Sequence, residues 1–84
     1  MEMDGKLEMI SYNIRSFGAD KFDTVRELLN ICDFLLLQEI WKYEKVFVDI
    51  VKRDFPGYEC IVKSPNNGDQ ITKGRLSGGV GILY

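Results

Sequence analysis

The sequence predicts an α/β fold in the order strand, helix, strand, helix, strand, strand, and three observations predict it. Phe34 to Leu37 is an unbroken apolar run, bounded by Asp33 and by Gln38-Glu39 and too short for a helix. Two longer stretches place apolar residues at helical spacing: Phe22, Val25, Leu28, Leu29 and Cys32, then Val46, Phe47, Ile50 and Val51. Two others, "KLEMISYNI" and "YECIVK", alternate as strands do.

Taken in order, Lys6 to Ile14 sets Leu7, Met9 and Ser11 on one face and Glu8, Ile10 and Tyr12 on the other. Apolar residues on both faces predict a strand covered on both sides. "RSFGADKF" is a turn-rich link, and Asp20 is positioned to cap the following helix, with Asp23 in its first turn. That helix frays at Asn30. "DFLLLQE" then reads as a short, fully buried strand. A strand, a helix and a strand in so few residues predict a right-handed crossover with parallel strands.

"KYEKVFVDIVKRDF" is the second helix, with Lys45, Asp49, Lys52 and Arg53 on its wet face and Pro56-Gly57 as its stop. Tyr58 to Lys63 is the third strand. "SPNNGDQITKGR" is a polar loop with turn signals at Pro65 and Asn67-Gly68. "SGGVGILY" is the fourth strand, and Gly78, Gly79 and Gly81 in it predict a bulge or a close backbone approach. Four strands and two helices leave a sheet edge unpaired and a sheet face without a partner layer. The expectation is the N-terminal piece of something larger, prone to self-association through an exposed strand edge.

Composition bounds the chemistry. The chain has 84 residues, 45% hydrophobic and 29% charged, enough for one small core. A net charge of −2 gives nucleic-acid binding no support from bulk charge. The sequence has no histidine, which excludes Ser-His-Asp and Cys-His catalysis and most zinc sites. Cys32 and Cys60 fit no metal or redox spacing and read as reduced core thiols, without a disulfide. "MEMDGK" is acidic and lacks the apolar segment of a signal peptide. No apolar run approaches the roughly 20 residues a membrane span needs. An intracellular setting with no membrane partner is the expectation.

Two polar residues sit at equivalent places. Asn13 ends the first strand and Glu39 ends the second, so parallel neighbouring strands put both at one edge of the sheet. Ligand sites in α/β sheets gather at that edge. One carboxylate and one amide suit a hard divalent cation, with Glu39 as ligand and Asn13 orienting a phosphate oxygen or the ion's waters. The same pattern also fits a strand-end Glu that meets solvent and an Asn that makes a turn.

"ISYNIRSF" followed by "FLLLQEIW" resembles the opening of the endonuclease/exonuclease/phosphatase superfamily. "GRLSGGVGILY" is similar to that superfamily's Gly-rich entry into a core strand. The resemblance spans about residues 8 to 84. It implies a partial four-layer α/β sandwich of the DNase I-like type, with two sheets face to face and helices outside. It implies Asn13 as an active-site residue and Glu39 as a ligand to magnesium or manganese. "CDFLLLQEIW" together with "GRLSGGVGILY" resembles most the endonuclease domain of LINE-like (non-LTR) retrotransposons, which implies DNA as partner and, for such an element, a nuclear location. The reaction implied is phosphodiester hydrolysis. The remaining Asp, Asn and His groups of that chemistry belong to the later part of such a domain, so the isolated chain is expected to be inactive. Arg15, Arg75 and Ser77 are candidates for phosphate contact, as is Lys73, against the alternative of solvated loop residues. Trp41 and Tyr43 either stack on a base or pack on the second helix. Two rival readings stay open: a phosphatase or lipid phosphodiesterase of the same superfamily, and a degenerate, non-catalytic copy.

Overall fold

The computed structural model describes residues 7–63 and 78–84. The turn signals at Pro65 and Asn67-Gly68, and the candidates Lys73, Arg75 and Ser77, lie outside the described residues. The elements are β1 (Met9–Asn13), a 3₁₀ turn (Ala19–Lys21), α1 (Phe22–Leu29), β2 (Phe34–Gln38), α2 (Glu44–Asp54), β3 (Cys60–Lys63) and β4 (Val80–Leu83). They form one mixed sheet in the order β1-β2-β4-β3. β1 and β2 run parallel, with Asn13 opposite Gln38. β4 lies between β2 and β3 and is antiparallel to both.

Both helices pack on one face of this sheet. Leu35, Leu37 and Leu83 project from it into a core shared with Val25 and Leu29 of α1 and with Phe47, Ile50 and Val51 of α2. The opposite face is open among the described residues: Met9 is 56% and Ile61 59% exposed. Phe34 and Tyr84 meet on it with ring centroids 5.8 Å apart. The expectation that β1 is covered on both sides and β2 fully buried is therefore corrected. In β2 only Leu35 and Leu37 are fully enclosed, because the helix layer covers one face alone.

The link read as a mere turn supplies the centre of the core. Phe17 is 0% exposed and packs against Phe47 at 4.9 Å, Phe22 at 5.4 Å and Phe55 at 5.9 Å. Each such ring pair is worth about 0.5–1.5 kcal/mol beyond its area. The Arg26 guanidinium lies 5.1 Å over Phe55 and donates to the Asp54 carbonyl, which ties α1 to the end of α2.

Helix boundaries differ from expectation at one end. Asp20 does not cap α1; it sits in the 3₁₀ turn, and Lys21 occupies the cap position with no side-chain hydrogen bond to the helix. The turn starts earlier, at the extended Gly18, so the helix inherits an ordered backbone and needs no side-chain cap. Asn30 closes α1 as expected, its N–H bonded back to Arg26. α2 ends before Phe55, and Gly57 takes the left-handed φ of +94° that turns the chain toward β3. Val46, placed on the apolar face by spacing, is 43% exposed, because only Phe47, Ile50 and Val51 reach the sheet.

Glycine is required once in the sheet itself. A Cβ on Gly81 would stand 2.5 Å from Cζ of Phe47, so the α2 ring can lie directly on β4 only where no side chain intervenes. Among the described residues no helix is long and apolar enough to cross a membrane.

Candidate functional site

The parallel pairing of β1 with β2 brings Asn13 and Glu39 to the same edge of the sheet, on neighbouring segments. Asn13 is exposed and shares the open face with Ser11 and Gln38, whose side chains are joined by a hydrogen bond of 2.6 Å from Gln38 Nε2 to Ser11 Oγ. Glu39 is half-buried and lies one residue beyond the last register pair.

Past that pair both chains leave extended geometry. Arg15, Ser16, Glu39 and Trp41 have φ of 51°, 87°, 60° and 58°. None is glycine, and a side chain in the left-handed region costs on the order of 1–3 kcal/mol unless its surroundings enforce it. The surroundings here are backbone hydrogen bonds on both sides. Ser16 N–H donates to the Glu39 carbonyl at 2.8 Å and Phe17 N–H to the Ile40 carbonyl at 2.9 Å. From the other side, the Glu39 and Ile40 N–H groups both donate to the Gly79 carbonyl, at 2.8 and 3.3 Å, and Trp41 N–H to the Gly78 carbonyl at 3.0 Å. Gly78 and Gly79 reach that position with φ of 85° and 87°. Ile40, wholly buried between two turned residues, anchors the segment in the core.

Side chains finish the edge. Trp41 Nε1–H donates to Oε1 of Glu39 at 3.0 Å, so the indole orients the carboxylate. Lys21 Nζ reaches back to the carbonyls of Ile14, Arg15 (3.0 Å) and Ser16 (3.4 Å). Arg15 is exposed beside Asn13. Tyr43 is exposed at the start of α2, where its carbonyl accepts from Phe47 N–H.

The donor set decides what the edge can hold. Among the described residues no three His, Cys, Asp or Glu side chains gather around a common point. That arrangement offers no zinc cage within them. It leaves room for magnesium or manganese, which are held by one or two carboxylates and keep several waters. A half-buried carboxylate with one oxygen fixed by an indole, next to an exposed amide, fits that requirement.

Of the residues singled out from sequence, Asn13, Arg15, Glu39 and Trp41 lie on the two neighbouring segments at this edge, and Trp41 bonds to Glu39. Sequence reasoning missed Lys21 and Ser16. The Gly78-Gly79 pair did signal a close backbone approach, and the partner of that approach is the Glu39 segment.

Fold and edge together define an α/β protein of DNase I-like fold with a carboxylate fixed at the C-terminal end of a central strand. No family model and no curated protein sequence matches the chain. A solved structure of similar fold is that of the 3′ phosphatase NExo from Neisseria, bound to a product DNA hairpin. The TM-score is 0.63 at 20% identity, over 93% of this chain. The chain spans 27% of the length of that protein. At this identity the likeness establishes the fold.

Proposed function

We propose that this chain contributes part of a divalent-metal-dependent site that cleaves phosphate esters of DNA, in a domain of the endonuclease/exonuclease/phosphatase superfamily. The observation that carries it is Glu39: a half-buried carboxylate on a left-handed residue, hydrogen-bonded through its backbone on both sides and through Oε1 to Trp41. Such strain collects where geometry serves a ligand. The similar fold of a protein bound to product DNA supports DNA as the polymer. The LINE-like endonuclease motifs favour internal phosphodiesters within that class.

In this reading Glu39 holds magnesium or manganese through its second oxygen, while Trp41 fixes the carboxylate plane. When bound, the ion neutralises phosphate charge and stabilises the leaving oxygen. Asn13 donates its amide N–H to a phosphate oxygen at the same edge. Arg15, exposed two residues beyond Asn13, adds a cationic contact to the polymer backbone. With one carboxylate at this edge among the described residues and no histidine in the sequence, the 84 residues alone are expected to bind metal weakly and to turn over no substrate.

Paramagnetic broadening tests the reading, because it registers weak binding. Manganese added to the chain should broaden the amide resonances of residues 13–16 and 39–41 and the Trp41 indole, and Glu39→Gln should abolish the effect. Gln keeps an acceptor for the indole, so the edge is retained. Broadening centred on another acidic group, or unchanged in Glu39→Gln, would reject the site.

A further inference from the structure

Lys21 is unusual among the described cations. Its ammonium faces three consecutive backbone carbonyls, those of Ile14, Arg15 and Ser16, instead of a carboxylate or open solvent. Two of those residues, Arg15 and Ser16, are in the left-handed region without being glycine. Their conformation turns three carbonyls toward one point. Carbonyl dipoles gathered in this way repel one another and present a concentrated negative potential. A cation relieves that repulsion, and hydrogen bonds from a charged donor are about twice as strong as neutral ones.

The turn so held is not isolated from the site. Ser16 and Phe17, directly downstream, donate their N–H groups to the carbonyls of Glu39 and Ile40. Lys21 itself belongs to the 3₁₀ turn that leads into α1, and the Lys21 N–H donates to the Gly18 carbonyl at 2.9 Å. The ammonium therefore links the helix layer, through five to seven residues of chain, to the backbone that suspends Glu39.

We propose that Lys21 is a positioning residue, a built-in cation that fills the carbonyl cradle of Ile14, Arg15 and Ser16 and thereby sets the backbone of Glu39. It touches neither phosphate nor metal. Its part in metal binding rests on Glu39 being a ligand, whereas its part in holding the turn does not.

Amide hydrogen exchange on the 84-residue chain separates these. In Lys21→Met, protection of the Ser16 and Phe17 amides should fall by about tenfold, the factor expected for losing one charge-assisted hydrogen bond. The Glu59 and Tyr84 amides, which bond to each other's carbonyls at the far end of the sheet, should keep their protection. Lys21→Arg should retain most of the protection, and methylammonium added to Lys21→Ala should restore part of it, since the cradle needs a cation. Equal loss in the Met and Arg variants, loss spread evenly to Glu59 and Tyr84, or no loss at all would overturn the proposal. Manganese broadening at Glu39 should weaken in Lys21→Met; broadening equal to that of the unaltered chain would overturn the positioning role. If the unaltered chain shows no such broadening, the metal reading of Glu39 fails, and the exchange result alone decides whether Lys21 holds the turn.

Discussion

Replacing Gly81 by alanine sets two opposed effects against each other, and the structure says which wins. Removing a glycine from a strand interior ordinarily stabilises it by about 0.5–1 kcal/mol, because the unfolded chain has less freedom to lose. At Gly81 the added methyl carbon would stand 2.5 Å from Cζ of Phe47 and 3.0 Å from each Cε. Phe47 cannot retreat, since it is 0% exposed and its ring lies 4.9 Å from that of Phe17. Overpacking of this kind costs about 1–3 kcal/mol. The net expectation is a loss of about 1–2 kcal/mol, which in a domain of this size lowers Tm by roughly 5–12 °C. Thermal unfolding followed by circular dichroism measures it. A second variant isolates the cause: Phe47→Leu removes the ring atoms that meet the new methyl. Phe47→Leu alone should destabilise, yet combined with Gly81→Ala it should cost less than the sum, by about 1 kcal/mol of favourable coupling. A Gly81→Ala chain as stable as its parent would refute the reasoning, as would strict additivity in the double variant.

Phe17→Ala empties the meeting point of three rings and should cost about 3–5 kcal/mol, most of the stability available to so short a chain. Urea titration would show it as a collapse of the midpoint, and a shift worth under ~1 kcal/mol would contradict the assignment of Phe17 to the core. The thiols offer a pH test. Burial first, then the negative charge of Asp33, pushes the Cys32 thiol up against a smaller opposing effect of a backbone hydrogen bond at Ile10. Burial and then Glu59 push up that of Cys60, with Lys52 pulling the other way. A raised folded-state value means the folded chain holds these protons more tightly than the unfolded one. The associated stability is complete below the ordinary thiol range and is lost as pH rises through the raised values. Iodoacetamide at mildly alkaline pH should therefore alkylate the folded chain more slowly than the urea-unfolded chain, and equal rates by mass spectrometry would count against it.

Much of this architecture is legible in the sequence, and the part that is not has a physical reason. The spacing of Val25 with Leu29, and of Phe47 with Ile50 and Val51, announces two helices with one apolar stripe each. The run through Leu35 and Leu37 announces a strand, and the short helix between it and Met9–Asn13 suits the parallel crossover that the two strands make. Strand order is a different matter. Nothing local to Val80–Leu83 says that it inserts between β2 and β3, because that choice is made by long-range pairing. Phe17 escaped notice for a related reason: it stands alone in a connecting segment, where no period marks it as inward-facing.

The site divides along the same line. Asn13 and Glu39 are visible as polar residues at strand ends. The left-handed conformations of Arg15, Ser16, Glu39 and Trp41 are not, since only glycine and asparagine advertise such backbone in sequence. The indole of Trp41 and the ammonium of Lys21 bond to partners fixed by that backbone, so their roles could not be read before it was known.

The order β1-β2-β4-β3 also sets a schedule for synthesis. Of the four described strands, the ribosome delivers last the one that joins the two halves of the sheet. Until residues 80–83 clear the exit tunnel, β2 carries a bare flank and β3 has no described strand to pair with. Nascent chains stalled in that interval display two unsatisfied rows of peptide groups to their neighbours, and chaperone demand should peak there and fall once Leu83 emerges.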